Sequence, residues 1–176
     1  GAGKSSISVM LLRLVEPSGG LVAIDGVDVT KVGLRALRRA VAVVPQDPFL
    51  FQGSLRRNLD PLGAHEEGEL LRALERVGLA LPPESEVGTG GSQLSAGQRQ
   101  LAAIARATLS LARIVVMDEP TASCDSQTDA LLQRVMQQAF VGRTVLCIAH
   151  RLNTILGFDS VLVMEAGRAV EHGRPA

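Results

Sequence analysis

Three apolar runs constrain the fold more than any other feature: "RIVVMDE" (113–119), "RTVLCIAH" (143–150) and "SVLVME" (160–165). None alternates polar with apolar residues, as a half-exposed strand would. Runs of this length without alternation predict strands buried on both faces of a parallel sheet. "VAVVPQ" (41–46) and "GLVAID" (20–25, with a turn at Gly26) read as further strands. Helical patterns lie between them. Residues 4–15 form one, 34–40 a short second, and Leu70, Leu71, Leu74 and Val77 mark an amphipathic third. A fourth covers 95–109 behind Ser95, a residue type that caps helix N-termini. The Pro/Gly-rich stretch 81–93 is loop. Strands alternating with helices predict a layered α/β domain.

Composition agrees with one such domain. The 176 residues suffice for a substantial core, and 46% are apolar. Only 2% are aromatic, so that core must come from Leu, Val, Ile and Ala. Eighteen basic residues balance eighteen acidic ones, which gives no support for a nucleic-acid partner held by a basic field. Cys124 and Cys147 lack metal-ligand spacing and read as reduced thiols. No apolar run approaches the ~18–20 residues needed to cross a bilayer, and the opening glycines and lysine do not resemble a signal peptide.

The chemistry-bearing residues come in order along the chain. "GAGKSS" (1–6) matches the end of the phosphate-binding pattern G-x-x-x-x-G-K-[ST] through Gly3, Lys4 and Ser5. Loop amides and a helix N-terminus would cradle phosphates, Lys4 would reach the outer ones, and the Ser5 hydroxyl would ligate Mg²⁺. Alone, the segment is equally a glycine-rich turn opening a helix. "RIVVMDEP" supplies a partner for it, a buried strand ending in two carboxylates. Asp118 would hold the metal and Glu119 would polarise an attacking water. In "QLSAGQRQLAAIARA", Ser95 and Gly97 sit at a helix N-terminus, a second anion-receptive end. A glycine is unfavourable there unless something approaches it closely.

With "LSAGQ" at 94–98 the chain resembles the ATP-binding cassette (ABC) family, whose signature is "LSGGQ". The resemblance implies a P-loop NTPase fold: a mainly parallel sheet flanked by helices, plus a helical subdomain over approximately 53–111. Gln46 in "VVPQDPFLF" resembles the family's Q-loop glutamine, which senses Mg²⁺ and the attacking water and contacts the transmembrane part. "SCDSQTD", with Ser123 and Asp125, resembles the D-loop at the dimer seam, and His150 in "CIAHRL" the switch histidine on the γ-phosphate. By the same resemblance Gly1, Ala2, Gly3, Lys4, Ser5, Ser6, Gln46 and His150 bind ATP. Ser5, Gln46 and Asp118 hold Mg²⁺, while Lys4, Gln46, Glu119 and His150 serve catalysis. Ser95, Gly97 and Asp125 act in trans on the nucleotide of a second cassette, paired head to tail. Gln46, Asp118–Glu119 and His150 each follow an apolar run, which would place them at one edge of the sheet.

"QDPFLFQGSLRRNLDP" and "AHRLNTILGFDSVLVMEAGRAVEHGRP" are similar to the second cassette of exporters in the multidrug-resistance-associated branch. That likeness implies an ATPase on the cytosolic face of a membrane, driving export of amphipathic or conjugated organic anions through transmembrane domains in the parent chain. A regulatory cassette gating a channel is the alternative. The chain starts inside its phosphate loop, and the family's adenine-stacking aromatic lies upstream of that loop. Without the strand that feeds the loop the sheet should carry a central gap, so the 176 residues are expected to fold marginally and to bind ATP weakly. The chain also departs from the signature at Ala96, where the family's middle glycine is replaced. A methyl there would crowd a neighbouring γ-phosphate. In the full transporter Ala96→Gly is expected to raise turnover at the opposite nucleotide site severalfold, measured as phosphate release; unchanged turnover would remove the crowding argument.

Overall fold

The computed structural model describes residues 2–120, 126–149 and 151–175. Helix α1 (Lys4–Leu11) stops four residues short of the expected end. The cause is Arg13, which leaves the helix with φ 44°. Its guanidinium donates to the backbone oxygens of Val29 (3.0 Å) and Val32 (2.9 Å) and pairs with Glu16 (2.7 Å). Pro17 disfavours helical geometry at the residue before it. The expected strand over 20–25 shrinks to β1 (Ala23–Ile24), which pairs antiparallel with β2 (Val27–Asp28). Asp25 and Gly26 both take positive φ, as a tight hairpin turn requires.

Helix α2 (Leu34–Ala40) lies where the sequence puts it and runs directly into β3 (Val41–Val44). Next come α3 (Leu55–Leu59), α4 (Glu67–Val77) and α5 (Ala96–Leu109), with α3 and α4 both packed on α5. Reciprocal bonds between Glu66 and Glu69 cap α4 at one end, and Gly78 at φ 72° closes the other. Its buried stripe is Leu70, Ala73, Leu74 and Val77, and Leu71 faces solvent instead of the core. At ~100° per residue, position 71 falls beside the stripe and 73 within it. The chain continues through β4 (Ile114–Asp118), α6 (Ser126–Ala139), β5 (Thr144–Ile148), α7 (Leu152–Ile155), β6 (Val161–Glu165) and β7 (Arg168–Gly173).

β3, β4 and β5 form a parallel sheet in that order. Val44 lies opposite Met117 and Met117 opposite Cys147. β4 is the centre, with Val115, Val116 and Met117 wholly excluded from solvent. One aliphatic core joins this sheet to α3, α4, α5 and α6 through residues such as Leu50, Leu55, Leu70, Ile104 and Leu132. Of the four phenylalanines only Phe140 is fully buried.

The run "SVLVME" departs from its expected place. It forms β6, but β6 pairs antiparallel with β7 in a separate two-stranded sheet, and Leu162 and Val163 stay exposed. Ala166 and Gly167, both at positive φ, turn the chain back on itself. Apolar character marks a strand but does not name its partner. No ladder joins β5 to β6 among the described residues.

Cys147, the penultimate residue of β5, is a free thiol. Burial, and after it the Asp118 carboxylate, push its pKa up to about 11. That lies above the ~8.5 of an unfolded chain. A raised folded value adds stability that is complete below the unfolded pKa and disappears as pH climbs through the folded one. The urea midpoint should therefore hold up to about pH 8.5 and fall between there and about 11. Cys147→Ala should flatten that slope; an identical pH profile for the two proteins would contradict the burial.

Candidate functional site

The glycine loop is built from backbone. Gly3 caps α1 in a left-handed conformation, φ 90°, and having no side chain it makes no cap bond to the first-turn amides behind it. No acidic residue occupies that turn, and a helix N-terminus of this kind favours an anion. Lys4 is half-buried, while Ser5 and Ser6 are exposed. The turn of the β6–β7 hairpin rests on the loop: Gly167 N–H donates to the Ala2 oxygen at 3.1 Å. A Cβ on Gly3 would come within 3.2 Å of the Gly167 backbone, so contact as well as φ requires glycine. The sequence reading missed this seat, because 164 residues separate Gly3 from Gly167.

Parallel register brings the polar strand-end residues to one edge. Gln46 and Glu119 each lie two positions beyond the Val44–Met117–Cys147 row, and His150 three beyond it. Gln46 is exposed, and Asp118 and Glu119 are half-buried. Glu119 adopts φ 43°, and its N–H donates to the Ile148 oxygen of β5 at 2.9 Å. A non-glycine residue there carries strain of about 1 kcal/mol or more, retained where surrounding bonds fix it. His150 itself, Gly1, Ser123, Cys124 and Asp125 lie outside the described residues. The neighbour of His150 does not. Arg151 pairs with Asp129 of α6 at 3.1 Å, and Gln133 donates to the same carboxylate oxygen at 3.2 Å.

The "LSAGQ" segment carries its own cap. Ser95 Oγ accepts from the Gln98 N–H (3.1 Å), and Gln98 Oε1 accepts from the Ser95 N–H (2.9 Å). S-x-x-Q is a readable capping box that the sequence reading took only as far as Ser95. Arg99 donates to the Leu94 oxygen (2.9 Å) and lies across Gly91, where a Cβ would meet its Cδ at 2.7 Å. Ser95 is exposed and Ala96 half-buried. Gly97 is buried, and a Cβ there would overlap the Thr128 methyl of α6. The close approach that a glycine in this turn implied therefore comes from within the chain.

The Ser5 and Ser6 hydroxyls, the Asp118 carboxylate and the start of α1 are donors of the chemical type that a magnesium–phosphate group takes. Mg²⁺ takes one or two protein oxygens beside those of phosphate and water. No group of three His, Cys, Asp or Glu side chains gathers among the described residues.

The profile of the ABC transporter family matches residues 1–122. Over 100% of its length the chain is 50% identical to the mouse (Mus musculus) ATP-binding cassette sub-family C member 10. It is 47% identical to the rat (Rattus norvegicus) sub-family C member 2 over 99% of its length, and 46% identical to the multidrug resistance protein fer6 of Mycosarcoma maydis over 100%. It spans only 12%, 12% and 13% of those proteins. A bacterial Atm1-family ABC exporter solved with ATP bound superposes on 98% of the chain with a TM-score of 0.89 at 34% identity, the chain covering 32% of that structure.

The buried glycine yields a test. Gly97→Ala is expected to cost about 1–3 kcal/mol in urea unfolding, the range for overpacking. Thr128→Ser removes the obstructing methyl and should restore most of that loss in the double variant. Additive effects of the two changes would show that they do not touch.

Proposed function

The chain belongs to the ABC transporter family, and on that premise we propose that it is the ATP-binding and ATP-hydrolysing cassette of a membrane exporter. The observation that carries the reading is the alignment of the ends of β3, β4 and β5 at one edge, in a chain that also holds an uncapped glycine loop. In an open α/β sheet, ligands bind beyond the carboxyl ends of the strands.

In this reading the loop amides from Ala2 onward bind the phosphates, and Lys4 offsets the negative charge that grows on the outer ones. Ser5, Gln46 and Asp118 would hold Mg²⁺, which when bound neutralises phosphate charge. Glu119 orients a water and accepts its proton as the water oxygen bonds to the γ-phosphorus. The bond from that phosphorus to the ADP oxygen breaks. His150 holds the γ-phosphate, with Arg151 steadied by Asp129 beside it. Ser95, Gly97 and Asp125 serve the nucleotide of a second cassette across a head-to-tail seam, within the same parent chain. Residues 53–111 act as its helical subdomain.

Similarity to multidrug-resistance-associated relatives supports transport of amphipathic or conjugated organic anions through transmembrane domains reached by the Gln46 loop. No helix among the described residues is long and apolar enough to cross a membrane, so those domains belong elsewhere in the parent. The cassette then works at the cytosolic face. Nucleotide bound at the gate of a channel would leave ATP-dependent vesicle uptake of a conjugate at background, whereas export requires it.

Glu119→Gln in the full-length parent should lower ATP hydrolysis by about 10²–10⁴-fold while nucleotide binding persists. Phosphate release and equilibrium binding, measured on the same preparation, decide it. Undiminished turnover would exclude Glu119 as the base.

A further inference from the structure

The chain leaves the sheet at Pro45, which has no N–H to continue the β3–β4 ladder. The Pro45 oxygen must find its donor elsewhere. It finds the side chain of Gln100, in the second turn of α5, whose Nε2 donates to it at 3.2 Å. Gln100 is only 2% exposed and ranks among the largest fully buried side chains. At the far end of the same segment a second buried amide does similar work. Asn58 of α3, 3% exposed, accepts from the Phe51 N–H at 2.7 Å and donates to the Phe51 oxygen at 2.9 Å, as a neighbouring strand would. It also donates to the Ser54 oxygen at 3.0 Å.

Between these clamps the chain is attached on one side. Pro48 and Leu50 point inward and are buried, while Gln46, Asp47, Phe49 and Phe51 are exposed. Leu50 packs over Gly91, where a Cβ would meet its Cδ1 at 3.2 Å. Thr89 donates to Gln52 Oε1 at 3.4 Å. The turn 89–91 leads straight into "LSAGQ". Past Pro45, then, the attachments are to α5, α3 and the turn before α5, and the strand that delivers the segment makes none of them.

We propose that Gln100 and Asn58 are positioning residues that strap residues 46–51 to the helical layer, so that Gln46 is placed by α5 and not by β3. The inference rests on the reading of Gln46 as part of the nucleotide site. It adds that a displacement of the "LSAGQ" helix is delivered to that site through the Gln100–Pro45 bond. Neither residue touches nucleotide, and each acts through the backbone it holds.

The test uses the full-length parent in lipid nanodiscs, with hydrogen–deuterium exchange and ATP kinetics on the same samples. Gln100→Leu removes the donor, and Asn58→Asp keeps the acceptor for Phe51 but removes both donated bonds. Each variant should speed amide exchange across 46–51 by about tenfold, the factor for losing one buried hydrogen bond, and leave α4 and β4 unchanged. The kcat for ATP should fall severalfold at an unchanged KM. Gln100→Met, closer in shape, carries the test should Gln100→Leu fail to fold. Wild-type exchange across 46–51 in the variants would overturn the proposal. So would faster exchange with kcat intact, since the amides would then serve only to satisfy backbone. A wild-type protein without ATP turnover would overturn the hydrolytic reading instead, and the exchange data would still judge the strap.

Discussion

β4 has a parallel hydrogen-bonded neighbour on each side, and its three central side chains are out of solvent. Parallel strands finish at a common edge, so the residues that follow β3, β4 and β5 must emerge together. Gln46, the Asp118–Glu119 pair and the segment entering His150 share an edge for that reason. Burial on both faces fixes the register as well, because a shift of one residue would exchange the two faces of each strand. The site depends on this pairing before it depends on any polar contact.

Around the sheet, buried polar groups work where irregular backbone needs partners. Gln100 meets the Pro45 oxygen, Asn58 pairs with Phe51, and Arg143 donates to the last carbonyls of α5 at Ala107 and Thr108, 3.0 Å each. Such bonds add only about 1 kcal/mol each in net terms, but a partner left unsatisfied costs more. They therefore specify geometry more than they add stability. Backbone strain follows the same logic, since Glu119 keeps a positive φ while its N–H is held by β5.

Much of the candidate site was legible because its residues lie in local patterns. "GAGKS" opens a helix, "VVMDE" ends a buried strand, and Ser95 starts α5 where a capping residue should. Other parts were not legible, since they rest on contacts between distant residues. Nothing near Gly3 indicates that the β6–β7 turn sits on it, and nothing near Gly97 points to Thr128. The polarity of Gln100 was visible, but its burial against Pro45 was not. Helix α1 ended early because Arg13 found carbonyls sixteen and nineteen residues ahead.

Residue order alone marked the longer strands and most of the long helices, which of them end in carboxylate, amide or imidazole, and which family the motifs resemble, but it left β2, α3, α6, α7 and β7 unread. Those properties follow from hydrophobic period and from the chemistry of single side chains. Tertiary structure alone decided which strands pair. β5 lies parallel beside β4, whereas the equally apolar β6 turns back on β7. It also decided which neighbour each glycine and buried amide meets. Pairing and close approach depend on the free energy of whole surfaces fitting together, which no short stretch of residues carries by itself.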